Sequence, residues 1–346
     1  MPLSPKQRSE IARKAIASRK NKVVTEPEKL DRLVDLALPV RATQGQINKS
    51  LEGLSRLLRQ VAKNTGEMRV TIGPSRKESI CVFLSDLHLG KLILDEQDKT
   101  LVLFNKEIAK IRLLNLLGHV TEQTRNKEID VVVVFLGGDI LDGEEIYQTQ
   151  ASHIEFTTTE QVQFAVEMLW LFAKGLRHGM GRDVPVRFIC CPGNHGRVSR
   201  YVDELTNWDQ IIYMMLQIMT SLDKDKISVE FPETRQFITG IVKGKKVLLR
   251  HRAKRGTSPS PVSQWQSWLL QHDFDIGLSG HWHTPAVEYV QDKPIFRNGS
   301  LCGKDDFAES LGLGDGPSQW IFGINQDGLT FCKLALLEEI VMEAKK

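Results

Sequence analysis

The chain has 346 residues, 41% of them hydrophobic and 26% charged, a globular composition with length for one large domain and an appendage. No apolar run approaches the roughly 20 residues that span a bilayer, and the start MPLSPKQRSEIARK lacks the apolar stretch of a secretory signal; a cytoplasmic location is expected, with no membrane partner. Net charge is only +3, but residues 1–70 hold 15 Lys/Arg against 7 Asp/Glu, so the basic charge is gathered at one end.

In chain order, residues 1–22 are basic and short of large apolar side chains. A short helical pattern over 28–38 ends at Pro39, and Ile47, Leu51, Leu54, Leu58 and Val61 then recur at alternating spacings of four and three, one apolar seam on a helix. Two heptads are too short to specify a coiled coil, which leaves packing onto the main domain, a small helical hairpin or a homodimer through this helix. Gly66, Gly73 and Pro74 punctuate the next stretch, and a domain boundary is expected there. Beyond it, strands are predicted over 80–85, 130–136, 186–191, 246–250, 276–279, 294–298, 320–324 and 329–334, with helices over 101–124, 158–176, 207–221 and 261–271. Such alternation argues for an α/β fold whose chemistry sits in the loops at strand ends. Cys81, Cys190, Cys191, Cys302 and Cys332 form no CxxC pair and lie in apolar, strand-like contexts, as reduced core thiols do.

Five strand ends carry polar residues. CVFLSDLHLG ends on Asp86 and His88; in an extended chain residues two apart share a face, so both can meet one metal, although a cap or turn uses the same residues. VVVVFLGGDILDG delivers Asp139 after two glycines, as a cation ligand or as the N-cap of a following helix. VRFICCPGNHGR lifts Asn194, a carbonyl donor, and His195, a proton carrier, out of a strand by a glycine turn. KKVLLRHRAKRG places His251 at a strand end, and SGHWHTP sets His281 and His283 two apart after another. Each alone is also what a good turn or an ordinary histidine looks like.

Together D-x-H, G-D, G-N-H, H and G-H-x-H occur in this order, and over about residues 78–335 they resemble the calcineurin-like metallophosphoesterase superfamily. The resemblance implies a sandwich of two mixed β-sheets flanked by helices; it leaves unexplained residues 1–70, a small basic helical extension by their own pattern, and 336–346 follow as a charged tail. It implies one divalent metal on Asp86, His88, Asp139 and His283, a second on Asp139, Asn194, His251 and His281, and phosphoester hydrolysis by metal-activated hydroxide. Mn²⁺ is the metal it suggests, although Fe, Zn or Ni suits the same ligands. His195 takes the place of the family's non-ligand general acid, and Asp142 that of the carboxylate orienting it, unless Asp142 caps a turn.

GDILDG puts Gly143 where the protein phosphatases of the superfamily carry arginine, and their GNHE is GNHG here, which disfavours that branch. The GNHGR turn, a later NWD and Asn298-Gly299-Ser300 resemble bacteriophage-encoded members described as DNA repair exonucleases. Arg197, Arg200, Arg252, Lys254 and Arg255 then form a candidate phosphate-binding set for a DNA or RNA substrate, or else a solvated loop. Trp265 and Trp268 read more readily as helix core than as base-stacking surface. The competing functions are a small-molecule phosphoesterase, acting on a nucleotide or cyclic nucleotide, and a nucleic-acid-binding or assembly protein with a vestigial site.

Overall fold

The computed structural model describes residues 77–346 except 149, 181–183, 204, 223–225, 253–260, 305–314, 339–341 and 344–346, together with helical positions at 45, 52, 53, 55 and 56. The chain splits into two compact units, Met1–Gly73 and Pro74–Lys346. The apolar seam from Ile47 to Val61, and Lys254 and Arg255, lie outside the described residues.

The larger unit is built on two sheets. In the first, β1 (Glu78–Leu84), β4 (Ile129–Leu136), β5 (Val186–Cys190) and β6 (Ile227–Glu230) run parallel, and β12 (Ser318–Ile324) and β13 (Leu329–Leu336) extend the β1 edge antiparallel, in the order β13-β12-β1-β4-β5-β6. The second has the order β10-β11-β9-β8-β7, with β8 (Lys245–Arg250), β9 (Ile276–Ser279) and β11 (Lys293–Arg297) parallel between antiparallel edges β7 (Phe237–Val242) and β10 (Ala286–Val290). Three short strands, β2 (Ile93–Leu94), β3 (Leu101–Phe104) and β14 (Met342–Glu343), make a third sheet.

Strand β1 is buried along its whole length because both of its faces are covered. Ile80, Val82 and Leu84 join a core under α1 (Lys106–Thr124), α2 (Thr158–Met180) and α3 (Trp208–Leu222). Cys81 and Phe83 face the second sheet, packing with Phe135, Leu249, Leu278, Phe296 and Phe322. This is why the strands read as continuous apolar runs instead of alternating ones. Phe296 stacks on Phe322 with ring centroids 5.0 Å apart, and burying each such ring is worth roughly 2–3 kcal/mol. The outer face of the second sheet is closed by α4 (Pro261–His272), where Trp265 is core and Trp268 half-buried under the Arg250 guanidinium, 4.0 Å from its ring. The layers run helix, sheet, sheet and helix, the sandwich that the resemblance implied.

Two expectations are corrected. Residues 101–104 are strand β3, and the helix begins only after Asn105, whose side chain accepts a 3.0 Å hydrogen bond from the Ile108 amide as an N-cap; β-rich LVLF pairs with β2 and β14 before the cap admits the helix. Cys332 is exposed on edge strand β13, where alternation turns it outward, whereas the other four thiols are buried. All five are free.

A buried polar lattice holds the end of β1. Asn298 Nδ2 donates to Phe83 O at 2.9 Å and to Gln319 Oε1 at 2.8 Å, Gln319 Oε1 accepts from the Ser85 amide at 3.0 Å, and the Leu301 amide donates to Asp86 O at 2.9 Å. Asn298 and Gln319 are fully buried. An Asn298→Ala variant leaves buried acceptors unpaired, and denaturant unfolding of the metal-free protein should show a loss of about 1–3 kcal/mol.

Candidate metal centre

Every candidate side chain lies just past the C-terminal end of a parallel strand, where open α/β sheets place ligands. Asp86 and His88 follow β1, Asp139 and Asp142 follow β4, and Asn194 and His195 follow β5. From the facing sheet, His251 follows β8, and His281 and His283 follow β9. Asp86, His88, Asp139, Asn194 and His251 are buried.

Strand alternation does not bring Asp86 and His88 together, as the sequence suggested. β1 ends at Leu84, and both residues sit in left-handed backbone, φ 56° and 46°, as do Asp139 (51°), His281 (75°) and His283 (54°). Asp86, Leu87 and His88 donate their amides to the carbonyls of Gly138 and Asp139, so the two loops turn around one another. Asp139 caps no helix; the next α-helix is α2, nineteen residues on. At Gly138, with φ +85°, an added Cβ would stand 2.4 Å from Gly193 N, so only glycine lets the GGD and PGN turns touch.

The ligand atoms gather in groups within 4.8 Å: Asp86, His88 and His283 in one, Asp139, His251 and His281 in another, and His88, Asp142 and His195 in a third. Asn194 joins the second, its Oδ1 3.0 Å from His251 Nε2. His251, whose RHRAK context carried the weakest sequence signal, therefore lies at the centre of a group.

The proton inventory tests whether cations fit. His251 Nδ1 lies 2.7 Å from Gly137 O, which can only accept, so that nitrogen carries the proton and Nε2 presents a lone pair. That lone pair faces Asp139 Oδ2 at 3.0 Å and the Asn194 carbonyl oxygen, two more acceptors. Likewise His88 Nδ1 faces Asp142 Oδ1 at 2.9 Å, leaving Nε2 opposite His283 Nε2 at 3.1 Å, with Asp86 Oδ1 3.4 Å from the latter. With His251 and His283 neutral and their protons on Nδ1, these groups converge as the donor set of a divalent cation, and mixed His, Asp and Asn suits a borderline one.

Charge follows the same logic. Burial opposes ionisation of Asp86 and Asp139, but the surrounding imidazoles, His283 for the first and His251 for the second, hold both below the usual carboxylate range. Burial, with His195 and His251 respectively as cationic neighbours, lowers His88 to about 4 and His281 to about 3, the neutral form a ligand needs. His251 is the exception: burial would lower it, but Asp139 and Asp86 raise it to about 9, so a proton stands where the lone pairs converge.

His195 is 20% exposed at its side chain, with Nδ1 3.3 Å from Asp142 Oδ1. Burial lowers its pKa, but Asp139 and Asp142 raise it further, and the net shift is upward. Asp142 is depressed against its burial by Lys91 and by hydrogen bonds from His195 and His88; its one carboxylate orients both rings. Arg197 Nε donates to Asn194 O at 3.1 Å, Arg200 Nε to Glu145 O at 3.3 Å, and Arg252 is a charged neighbour of Tyr147 and His281. Trp282 packs edge-on against His281 at 4.8 Å.

Several site residues escaped the sequence reading. Asp209, fully buried, accepts the amides of Gly193 (2.8 Å), Asp139 (3.1 Å) and Ile140 (3.2 Å), while Asn207 Nδ2 donates to Gly193 O at 2.7 Å. The NWD string is thus the clamp between two ligand loops. Burial and the Asp139 charge push Asp209 up to about 7. Gln150 Oε1 accepts the amides of Ile146 and Tyr147 at 2.8 and 3.1 Å, which turns Nε2 toward Asp142 O and to within 3.2 Å of His195 Nδ1. Nothing in GEEIYQTQ signals it.

Two facing sheets whose strand ends present cation-ready groups beside a carboxylate-linked histidine define a metallophosphoesterase-type hydrolase scaffold. Residues 81–285 match the family model described as calcineurin-like phosphoesterase, and the chain belongs to that family. Among solved structures it is similar to Vps29 complexed with zinc from Entamoeba histolytica (12% identity, 76% of this chain and 98% of the other, TM-score 0.34). It is similar also to an archaeal phosphodiesterase (12%, 76% and 99%, 0.36) and to Vps29 from Cryptosporidium parvum (14%, 78% and 100%, 0.37). No curated protein matches it. Among the described residues no helix is long and apolar enough to cross a membrane.

Because a cation at the second group must displace the His251 proton, Mn²⁺ binding at pH 7 should release about one proton and strengthen as pH rises toward 9. Calorimetry in buffers of different ionisation enthalpy reads that number directly.

Proposed function

We propose that the chain is a dinuclear metal-dependent phosphodiesterase acting on nucleic acid. The reading is carried by the two ligand clusters, Asp86/His88/His283 and Asp139/His251/His281, with Asn194 beside the second; on the family resemblance Asp139 would serve both cations. Bound there, two divalent cations, Mn²⁺ for preference, supply an acidified water and charge neutralisation at a phosphoryl group. The protein's own residues do the rest. His195, held by Asp142 through Nδ1 and with a raised pKa, keeps its proton near neutrality and delivers it to the leaving oxygen. Gln150 Nε2 donates to the Asp142 main-chain carbonyl and so holds the turn that carries this carboxylate.

The nucleic-acid substrate is supported by positive charge beside the site. Arg197 and Arg252 flank Tyr147, whose ring is 43% exposed and lies 4.7 Å from that of His195, and cations with an aromatic face suit a phosphodiester backbone and its bases. The basic residues 1–70 and the bacteriophage exonuclease resemblance point the same way.

Purified protein with Mn²⁺ should cleave single-stranded or duplex DNA or RNA as well as bis-p-nitrophenyl phosphate; turnover of the small diester alone overturns the nuclease assignment in favour of a small-molecule phosphoesterase. A His195→Asn variant should bind its metals normally and lose about 100-fold or more in turnover, with metal content and rate measured on one preparation; full retained activity removes the general-acid role.

A further inference from the structure

Asn194 has a choice that no other candidate ligand has. Its amide ends in an oxygen, which can bind a cation, and an NH₂, which cannot. In the structure Oδ1 lies 3.0 Å from His251 Nε2, on the side of the candidate ligand group. Turned over, the amide would close that ligand position with its NH₂ group.

What opposes the turn is Tyr147. Its phenol oxygen accepts a hydrogen bond from Asn194 Nδ2 at 2.8 Å. Its ring lies against His195, centroids 4.7 Å apart, and its own backbone amide is held by the buried Gln150 at 3.1 Å. Arg197, whose Nε donates to the main-chain carbonyl of Asn194 at 3.1 Å, sits beside the same phenol. The oxygen that fixes the NH₂ end is therefore itself fixed by three neighbours.

We infer that Tyr147 is a positioning residue which holds the Asn194 amide with its oxygen toward the metal position, so that the second cation site is ready before the ion arrives. The inference rests on the dinuclear reading above, since it gives Asn194 a cation to bind. It assigns a task to residues 144–148, which otherwise read as a connection after Gly143. One side chain then touches a ligand through its hydroxyl and the candidate general acid through its ring.

The test is a double-mutant cycle read by Mn²⁺ titration calorimetry on the full metal-free chain. Tyr147→Phe keeps the ring on His195 and removes only the acceptor; the weaker of two Mn²⁺ affinities should fall about three- to tenfold, the worth of one hydrogen bond, with the unfolding temperature of the metal-free protein unchanged. Asn194→Asp supplies a carboxylate with two equivalent oxygens and no NH₂ end to misplace, so adding Tyr147→Phe to it should change Mn²⁺ affinity by less than about twofold. Wild-type affinity in Tyr147→Phe, or an equal loss in both backgrounds, overturns the positioning role. A wild-type chain that binds fewer than two Mn²⁺ overturns instead the dinuclear reading beneath it.

Discussion

Acceptors crowd together at the meeting point of the two sheets. Asp86, Asp139, the Asn194 carbonyl and the lone-pair nitrogens of His88, His251 and His283 face one another in a space mostly shielded from water. Such an arrangement needs positive charge, which the protonated His251 supplies when no cation is bound, and a chain without strong external bracing would relax away from it. The bracing is visible in the backbone. Five of the candidate ligands occupy left-handed φ, each costing about 1–3 kcal/mol for a residue with a side chain. The cost is offset by the surrounding hydrogen bonds and by packing of the layers. Aspartate, asparagine and histidine tolerate this region better than most residues, so ligand chemistry and backbone geometry select the same residue types.

Two buried polar assemblies impose the geometry. Asn298 and Gln319 hold the chain on either side of Asp86, while Asn207 and Asp209 tie the Gly193 turn to the Asp139 turn. Neither assembly touches a candidate cation position. Gln319 lies on β12, the neighbour of β1 in its own sheet, Asn298 lies just past β11 of the facing sheet, and Asn207 and Asp209 lie at the start of α3. The site's precision is thus lent by the scaffold. Asp142 does a comparable service inside the site, since one carboxylate oxygen faces both His88 and His195. A change at that carboxylate reaches both rings, the candidate ligand His88 and the candidate proton donor His195, together.

Much of the fold was legible along the chain. Apolar runs such as VVVVFL are long enough for a strand and too continuous for a half-exposed one, which announces a strand covered on both faces, and β4 is such a strand. The polar residue following each run is local information as well, so Asp86, His88, Asp139, Asn194, His281 and His283 could be marked before any contact was known. His251 had only its strand end to recommend it. Edge strands β2, β6, β7, β10 and β14, and β3 between β14 and β2, went unmarked, because short segments carry little hydrophobic pattern.

The sequence by itself determined the kind of ligand, its order and its place at the mouth of a strand, because strand ends and glycine turns are written in neighbouring residues. Only the tertiary structure decided which ligands share a group, since Asp86 meets His283 and Asp139 meets His251 across sheets joined by more than a hundred residues of chain. It also decided the parts played by Tyr147, Gln150 and Asp209. An ordinary tyrosine, glutamine or aspartate gains such a part only from what lies opposite it, and that depends on the packing of distant elements, which no local pattern records.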